Sequence, residues 1–288
     1  MLKLYSYGKI NLFLDIGGKL QNGYHLIKTV MQSIDLYDEV ILEPIDKNDI
    51  IIECSNKDIP VDENNICHKA AAIIKKTYNI SSGVNIKINK NIPSEAGLAG
   101  GSSNSAAVIA GLNRLWNLNI SENDMLKIGL NVGADVPFCL LGGTCLAEGI
   151  GEKLTKLNNF MWENILIIKP DFSMSTSFVY SNLTPENYNY SDNNILNYIS
   201  ENKFHEASLS SSNTLEKVVE KFHPEINDIK DFMIKNGAVC SNMTGSGSAV
   251  FGLFECKESL NNAYNKAIEI HPLVFKTKTS TVGVNICV

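Results

Sequence analysis

A glycine-rich segment in the first half of the chain combines residue types that bind phosphate. Residues 93–104, PSEAGLAGGSSN, place four small residues directly before an apolar helical stripe. Glycine lets the backbone approach a ligand closely, and the free N–H groups and dipole of a helix start attract an anion. No lysine follows the last glycine and the G-x-G-x-x-G spacing is missing, so neither common phosphate fingerprint is present. A flexible loop capped by Ser102 or Ser103 is the alternative.

Two further segments add candidate chemistry near the ends of the chain. Residues 7–14, YGKINLFL, contain Lys9 and Asn11. Alternating apolar residues over 10–16 predict a half-buried strand with Lys9 and Asn11 together on its opposite face, and QNG at 21–23 predicts a turn. Residues 244–251, TGSGSAVF, are the third of these segments and form a glycine loop, the third loop, before an apolar strand. This loop is expected either to support a phosphate or only to allow tight packing of strands.

In this order the three segments resemble the three motifs of the GHMP kinases, the family that includes galactokinase, homoserine kinase and mevalonate kinase. The resemblance covers essentially the whole chain. It implies an α+β fold of two lobes, with mixed sheets and helices and with the active site in the cleft between the lobes.

Shorter motifs are similar to one group within that family. These are GYH at residues 23–25, SSN at 102–104 and GADVP at 133–137. The resemblance implies transfer of the γ-phosphoryl group of ATP to the 2-hydroxyl of a cytidine-diphosphate-linked polyol, in the non-mevalonate route to isoprenoid precursors. Another small-molecule kinase of the family, acting on homoserine or a sugar, and a non-catalytic nucleotide sensor are the alternatives.

The resemblance implies that Lys9 and Asp135 form the catalytic pair. Phosphoryl transfer requires mainly positioning and charge neutralisation. Asp135 is expected to accept the proton of the substrate hydroxyl. Lys9 is expected to orient that carboxylate, keep its pKa low and touch the transferring phosphoryl group.

The ATP side is expected to consist of the glycine-rich segment and two more distant residues. Ser102 or Ser103 could approach Mg²⁺, a cation that prefers oxygen ligands, and we assign the metal contact to Ser103. Asn65 and Lys90 are predicted to contact adenosine. The predicted ATP-binding residues are Pro93, Ala96, Gly97, Leu98, Ala99, Gly100, Gly101, Ser102, Ser103, Asn65 and Lys90.

The acceptor side is implied by the same resemblance. Tyr24 is expected to stack on the cytosine base and His25 to bond its edge. Tyr180 is the candidate for the second stacking face, with Phe178 as its rival. The other predicted contacts are Thr176 with the substrate phosphates, Asn11 with the polyol end and Gly245 in the third loop.

Two residues of the glycine-rich segment depart from the family pattern, in which many relatives carry glycine. Ala99 is expected to be tolerated if its φ is negative. Glu95 brings a negative charge close to a phosphate loop, which is expected to weaken ATP binding unless the side chain points away.

The composition of the chain limits the kinds of partner and the cell compartment that we expect. The net charge of −6 and the absence of a basic tract disfavour nucleic-acid binding, and Arg114 is the only arginine. Seven dispersed cysteines suit reduced thiols in the cytoplasm, and no apolar run is long enough for a membrane span. We expect a cytoplasmic monomer or weak homodimer that uses ATP and Mg²⁺.

Periodicity and turn signals divide the chain into an N-terminal ATP-binding domain, 1–155, and a C-terminal domain, 156–288. Residues 65–78 predict a helix with Asp62 or Asn64 as its cap. Residues 102–116 predict a second helix, and the apolar run 138–141 predicts a short strand.

Overall fold

The computed structural model describes residues 1–190 and 194–287. Within these residues, the strands are β1 (Leu2–Lys19), β2 (His25–Ile45), β3 (Ile50–Cys54), β4 (Gly83–Asn89), β5 (Thr144–Gly149), β6 (Lys153–Lys156), β7 (Ile165–Lys169), β8 (Ser212–Asn213), β9 (Ala238–Met243), β10 (Val250–Phe254), β11 (Leu273–Thr277) and β12 (Val284–Cys287). The helices are α1 (Ile66–Tyr78), α2 (Gly100–Leu115), α3 (Glu122–Val132), α4 (Val136–Leu141), α5 (Thr176–Ser181), α6 (Ile195–Ser200), α7 (Phe204–Leu209), α8 (Glu216–Val219), α9 (Glu225–Lys235) and α10 (Lys257–Ala267).

The strands form two sheets, which confirms the predicted α+β class with mixed sheets. The larger sheet has the order β12-β1-β2-β4-β3, with β5 and β6 continuing from β2 and β8 beside β1. The smaller sheet has the order β11-β7-β10-β9. Strand β3 runs parallel to β4, whereas the other long pairs of the larger sheet are antiparallel.

Three groups of buried side chains hold these layers together. Helices α1 to α3 pack on the larger sheet, and α9 and α10 pack on the smaller one. A third cluster joins the two sheets, with Phe13 of β1 and Phe251 of β10 fully enclosed. Burial of large apolar side chains stabilises each contact by roughly 1.5–3 kcal/mol per residue, so the cleft between the sheets has rigid walls.

The long hairpin of β1 and β2 supplies one wall of that cleft. The predicted strand at 10–16 and the turn at 21–23 are both confirmed. The register of β1 against β2 shifts at three places, between Tyr7 and Lys9, Asn11 and Phe13, and Ile16 and Gly18. Each shift changes which face of the sheet the following side chains occupy.

Two local predictions are wrong. Helix α1 is capped by Asn65, whose Oδ1 accepts from the Cys67 N–H at 2.8 Å, and not by Asp62 or Asn64. The run 138–141 lies in helix α4 and not in a strand, because Pro137 in the first turn presets a helical φ. A short buried apolar run fits either element by periodicity alone. The helix predicted at 102–116 is confirmed as α2.

The predicted boundary between residues 155 and 156 stays a prediction. The chain returns to the larger sheet twice after this point, through β8 and through β12, and both strands pair with β1. None of the helices in the described part of the chain is long and apolar enough to cross a membrane.

Candidate active site

A cleft of about 1120 Å³ lies between the two sheets. Its walls are the β1–β2 hairpin, the start of α1, the glycine-rich segment, the start of α4, the start of α5 and the third loop. Almost all of the residues predicted from the sequence meet there: Lys9, Asn11, Tyr24, His25, Asn65, Lys90, Pro93, Ala96, Gly97, Leu98, Ala99, Gly100, Gly101, Ser102, Asp135, Thr176, Tyr180 and Gly245.

The glycine-rich segment and the third loop pack directly on each other. A Cβ on Gly97 would lie 2.0 Å from the Thr244 carbonyl oxygen, so only glycine fits there. The Ala249 N–H donates to the Ala96 carbonyl at 3.2 Å. Gly245 also lines the cleft. The close packing predicted as one role of this loop is therefore present, and its support of a phosphate stays a prediction.

Lys9 lies beneath these two loops. It is only 4% exposed, and its Nζ donates to Asn11 Oδ1 at 2.6 Å. Asn11 is itself held, because its Nδ2 donates to Thr29 Oγ1 at 2.8 Å and its N–H donates to Thr244 Oγ1 at 3.0 Å. The ammonium group therefore has a defined position at the floor of the cleft.

Asp135 faces Lys9 from the start of α4. Its backbone carbonyl accepts from the Cys139 N–H at 3.0 Å, which anchors the residue at the helix start. Burial lowers the pKa of Lys9, and the negative charge of Asp135 is the strongest opposing influence. The two side chains therefore form an electrostatic couple across the cleft floor.

Asp38 organises the part of the cleft next to the glycine-rich segment, and no sequence motif points to it. This carboxylate is fully buried, and it accepts from the N–H groups of Asn91 and Ile92 at 2.7 and 2.8 Å and from Asn104 Nδ2 at 2.8 Å. It also pairs with the Lys90 ammonium group, which contacts Asn104 Oδ1 at 3.1 Å. The cluster fixes the chain beneath the first turn of α2.

Three of the residues predicted to contact ATP have side chains that already bond to other parts of the protein. Lys90 is neutralised by Asp38, and Asn65 bonds Cys67 and the Pro60 carbonyl. Ser103 is fully buried and donates to the Tyr7 carbonyl at 2.6 Å, outside the cleft wall. Ser102 is the serine of the predicted pair that lines the cleft.

The two departures from the family pattern adopt left-handed backbone conformations. Ala99 has φ of 56°, so the condition under which alanine would be tolerated without strain is not met, and Glu95 has φ of 51°. Such a conformation costs roughly 1–2 kcal/mol for a residue with a Cβ, which explains why glycine suits both positions. Glu95 lines the cleft, and its charge opposes the lowering of the Lys169 pKa that burial causes.

An aromatic subsite lies at the opposite end of the cleft. The ring centroids of His25 and Tyr180 are 5.5 Å apart, and Tyr24 is 60% exposed beside them. Phe178 instead packs on Phe222 at 5.1 Å and does not line the cleft. Burial, and next the charge of Asp135, raises the pKa of Tyr180, so its phenol stays neutral.

The start of α5 is tied to the third loop. Thr176 Oγ1 and Ser246 Oγ are 2.9 Å apart, and the Ser248 hydroxyl donates to the Phe172 carbonyl at 2.7 Å. Asn213 holds the same loop from behind, since its Nδ2 donates to the Met243 and Gly245 carbonyls. Sequence reasoning missed Asn213, which lies in no recognisable motif.

Comparison with known proteins supports one family throughout the chain. The model of the GHMP kinases N terminal domain matches residues 65–143, and that of the GHMP kinases C terminal domain matches residues 200–271. The 4-diphosphocytidyl-2-C-methyl-D-erythritol kinase of Clostridioides difficile is 46% identical over 99% of this chain and 98% of its own length. The protein of that name from Caldicellulosiruptor bescii is 45% identical over 98% of this chain and 100% of its own length.

Solved structures of the same family share the fold of this chain. A crystal structure of 4-(cytidine 5'-diphospho)-2C-methyl-D-erythritol kinase aligns with a TM-score of 0.83 at 26% identity, over 96% of this chain and 99% of that one. Homoserine kinase from Cytophaga hutchinsonii has the same fold, with a TM-score of 0.79 at 18% identity over 99% of this chain and 97% of that one. The chain therefore belongs to the GHMP kinase family. It is an ATP-dependent kinase that phosphorylates an alcohol group of a small molecule.

Replacement of Glu95 should separate backbone strain from charge. We expect Glu95→Gly to raise the free energy of unfolding by about 0.5–1 kcal/mol, because glycine relieves the left-handed conformation. Glu95→Gln keeps the strain and should leave stability unchanged. Both variants remove a screened negative charge near the phosphates and should lower KM for ATP by about two- to fivefold. Urea unfolding and steady-state kinetics measure the two effects; equal stability of the two variants would contradict the strain argument.

Proposed function

We propose that this kinase phosphorylates the 2-hydroxyl of 4-diphosphocytidyl-2-C-methyl-D-erythritol, giving the 2-phosphate and ADP in isoprenoid precursor biosynthesis. The observation that carries the proposal is the subsite of Tyr24, His25 and Tyr180 in the same cleft as Lys9 and Asp135. An aromatic and imidazole subsite suits a nucleobase, whereas homoserine and simple sugars have no base to stack. The names of the full-length relatives support the same acceptor.

In this proposal Asp135 accepts the proton of the acceptor hydroxyl as its oxygen attacks the γ-phosphorus of ATP. Lys9 orients the Asp135 carboxylate and neutralises charge on the transferring group. The amide N–H groups of residues 97–102 and the dipole of α2 hold the ATP phosphates. Asn65 and Lys90 line the adenosine side, and their existing bonds make them fixed walls.

Mg²⁺ is part of the proposal, carried with ATP. The cleft offers oxygen donors of the kind that Mg²⁺ prefers, on Ser102 and Asp135. We assign the approach to Ser102 in place of Ser103, since the Ser103 hydroxyl is buried and engaged with Tyr7. When bound, the ion would neutralise charge on the phosphates.

On the acceptor side, His25 bonds the edge of cytosine and Tyr24 stacks on one face, with Tyr180 closing the other. Thr176 and Gly245 contact the substrate phosphates and Asn11 contacts the polyol.

We further propose that the protein is a cytoplasmic monomer or weak homodimer. Each chain has two lobes, 1–155 and 156–288, and no nucleic-acid partner, in accord with the net charge of −6.

ADP release from Mg-ATP tests the function directly. Parallel reactions would contain 4-diphosphocytidyl-2-C-methyl-D-erythritol, methylerythritol phosphate, homoserine, mevalonate or galactose. We expect release with the first alone. Release with homoserine, mevalonate or galactose would overturn the acceptor, and binding of ATP without release in any tube would favour a nucleotide sensor.

The role of Asp135 can be tested by Asp135→Asn. A positioned base contributes about 10²–10⁴ to the rate, so kcat should fall by about that factor, while KM for both substrates changes little. Asp228→Asn, an exposed carboxylate in a separate groove, is the matched control and should leave kcat unchanged. Undiminished turnover of Asp135→Asn would refute its role as base.

Tyr24→Ala tests the stacking assignment. Loss of one stacked face is worth about 1–3 kcal/mol, so KM for the cytidine substrate should rise by about 5- to 150-fold. KM for ATP should stay constant, and Tyr24→Phe, which keeps the ring, should behave as wild type. An equal rise in KM for both substrates would reject the assignment.

A further inference from the structure

An acceptor that carries a diphosphate is stabilised by a positively charged side chain, and few such side chains line the cleft. The only arginine of the chain, Arg114, is exposed near the end of α2 and does not line the cleft. Among the described residues of the cleft wall, the side chains with a permanent positive charge are Lys9, Lys19 and Lys90.

Two of these lysines are already engaged. Lys90 forms a buried ion pair with Asp38, and Lys9 is bonded to Asn11 and coupled to Asp135 at the cleft floor. Lys19 is exposed, and within the described part of the chain no carboxylate lies within ion-pair distance of it. Its charge is therefore available to a ligand.

The register of the β1–β2 hairpin brings Lys19 next to the aromatic subsite. Lys19 and His25 are directly opposed partners in the antiparallel pair. Opposed residues project from the same face, with Cβ atoms about 4.5–5.5 Å apart. Two other opposed pairs, Asn11 with Met31 and Leu14 with Thr29, also line the cleft, so the pattern continues along the hairpin. The positive charge of Lys19 adds to burial in lowering the pKa of His25, as expected for such neighbours.

A bulge decides that Lys19 faces the cleft. The register shift between Ile16 and Gly18 leaves Gly17 without a partner on β2 and reverses the face of the residues that follow. A Cβ on Gly17 would lie 2.6 Å from Cδ2 of Tyr190, so this ring packs against the bulge. If β1 continued past Ile16 without this bulge, regular alternation from Leu14 would place Gly18, and not Lys19, on the cleft face.

We propose that Lys19 binds the diphosphate of the acceptor and thereby selects nucleoside-diphosphate-linked alcohols over uncharged ones. The inference rests on the proposed function, since it concerns the acceptor end of the same cleft. Lys19 and His25 together recognise two parts of one ligand that the ribose joins. The base edge bonds the imidazole, and the diphosphate on the other side of the ribose meets the ammonium group at the end of the long Lys19 side chain. Lys9 remains for the transferring phosphoryl group.

Calorimetric titration with CDP and with cytidine tests the proposal, because the two ligands differ only in the diphosphate. We expect Lys19→Met to weaken CDP binding by about five- to tenfold and to change cytidine binding by less than about twofold, as suits a screened charge contact. Lys19→Arg should restore most of the CDP affinity. Added salt should weaken CDP binding to the wild type more than to Lys19→Met.

Lys28→Met is the matched control. Lys28 lies on the same hairpin, opposite Asp15, outside the cleft wall and with its Nζ 5.7 Å from the centroid of the Tyr190 ring. The Lys28→Met substitution removes one positive charge, as Lys19→Met does, and should leave CDP affinity unchanged. Equal weakening of CDP by the two variants, or equal weakening of CDP and cytidine by Lys19→Met, would overturn the proposal.

Kinetics distinguish this proposal from the proposed function. KM for the cytidine substrate should rise in Lys19→Met by the same factor as the CDP affinity falls, with kcat and KM for ATP nearly constant. A rise in KM for ATP instead would assign Lys19 to the donor and overturn the proposal. A wild type that released no ADP with this acceptor, but bound CDP in a Lys19-dependent manner, would refute the function and leave the diphosphate site standing.

Discussion

The close approach of two glycine loops is the constraint on which the rest of the site depends. Gly97 lies against the carbonyl of Thr244, 147 residues further along the chain, at a distance that excludes any side chain. This contact closes the cleft floor over Lys9 and brings Thr244 to the backbone of Asn11. The two ends of the cleft are therefore built on one junction between distant parts of the chain. Phosphoryl transfer needs such a junction, because a misplacement of about 1 Å between reacting groups lowers the rate strongly.

The three lysines of the cleft differ in burial, and burial decides how strongly the charge of each one acts. Although the net charge of the chain is −6, three lysines line this cleft. Asp38 neutralises Lys90 in the interior, so that lysine acts mainly as part of the wall. Lys9 stays close to Asp135, and its burial makes its charge strong but expensive to maintain. Lys19 stands in water, where its interaction is weaker and depends on salt.

Two residues with strained backbone lie in the glycine-rich segment. Glu95 and Ala99 adopt left-handed conformations that their side chains disfavour, and they persist because neighbouring contacts determine the path of the loop. The Glu95 carbonyl accepts from Ser248 at 3.4 Å, and the Ala99 carbonyl accepts from Ser103 at 2.9 Å in the first turn of α2. The tertiary fold therefore imposes on these residues a shape that glycine would adopt freely.

Features that arise within a few residues could be predicted from the sequence: the α+β class, the strand that carries Lys9, the helix that follows the glycine-rich segment, and the motif residues that line the cleft. Three features became visible only in the fold: Asp38 anchors the chain next to the glycine-rich segment, Ser102 rather than Ser103 lines the cleft, and a bulge places Lys19 on the cleft face opposite His25. Periodicity and turn chemistry act locally, whereas these outcomes depend on strand register and on partners distant in the chain.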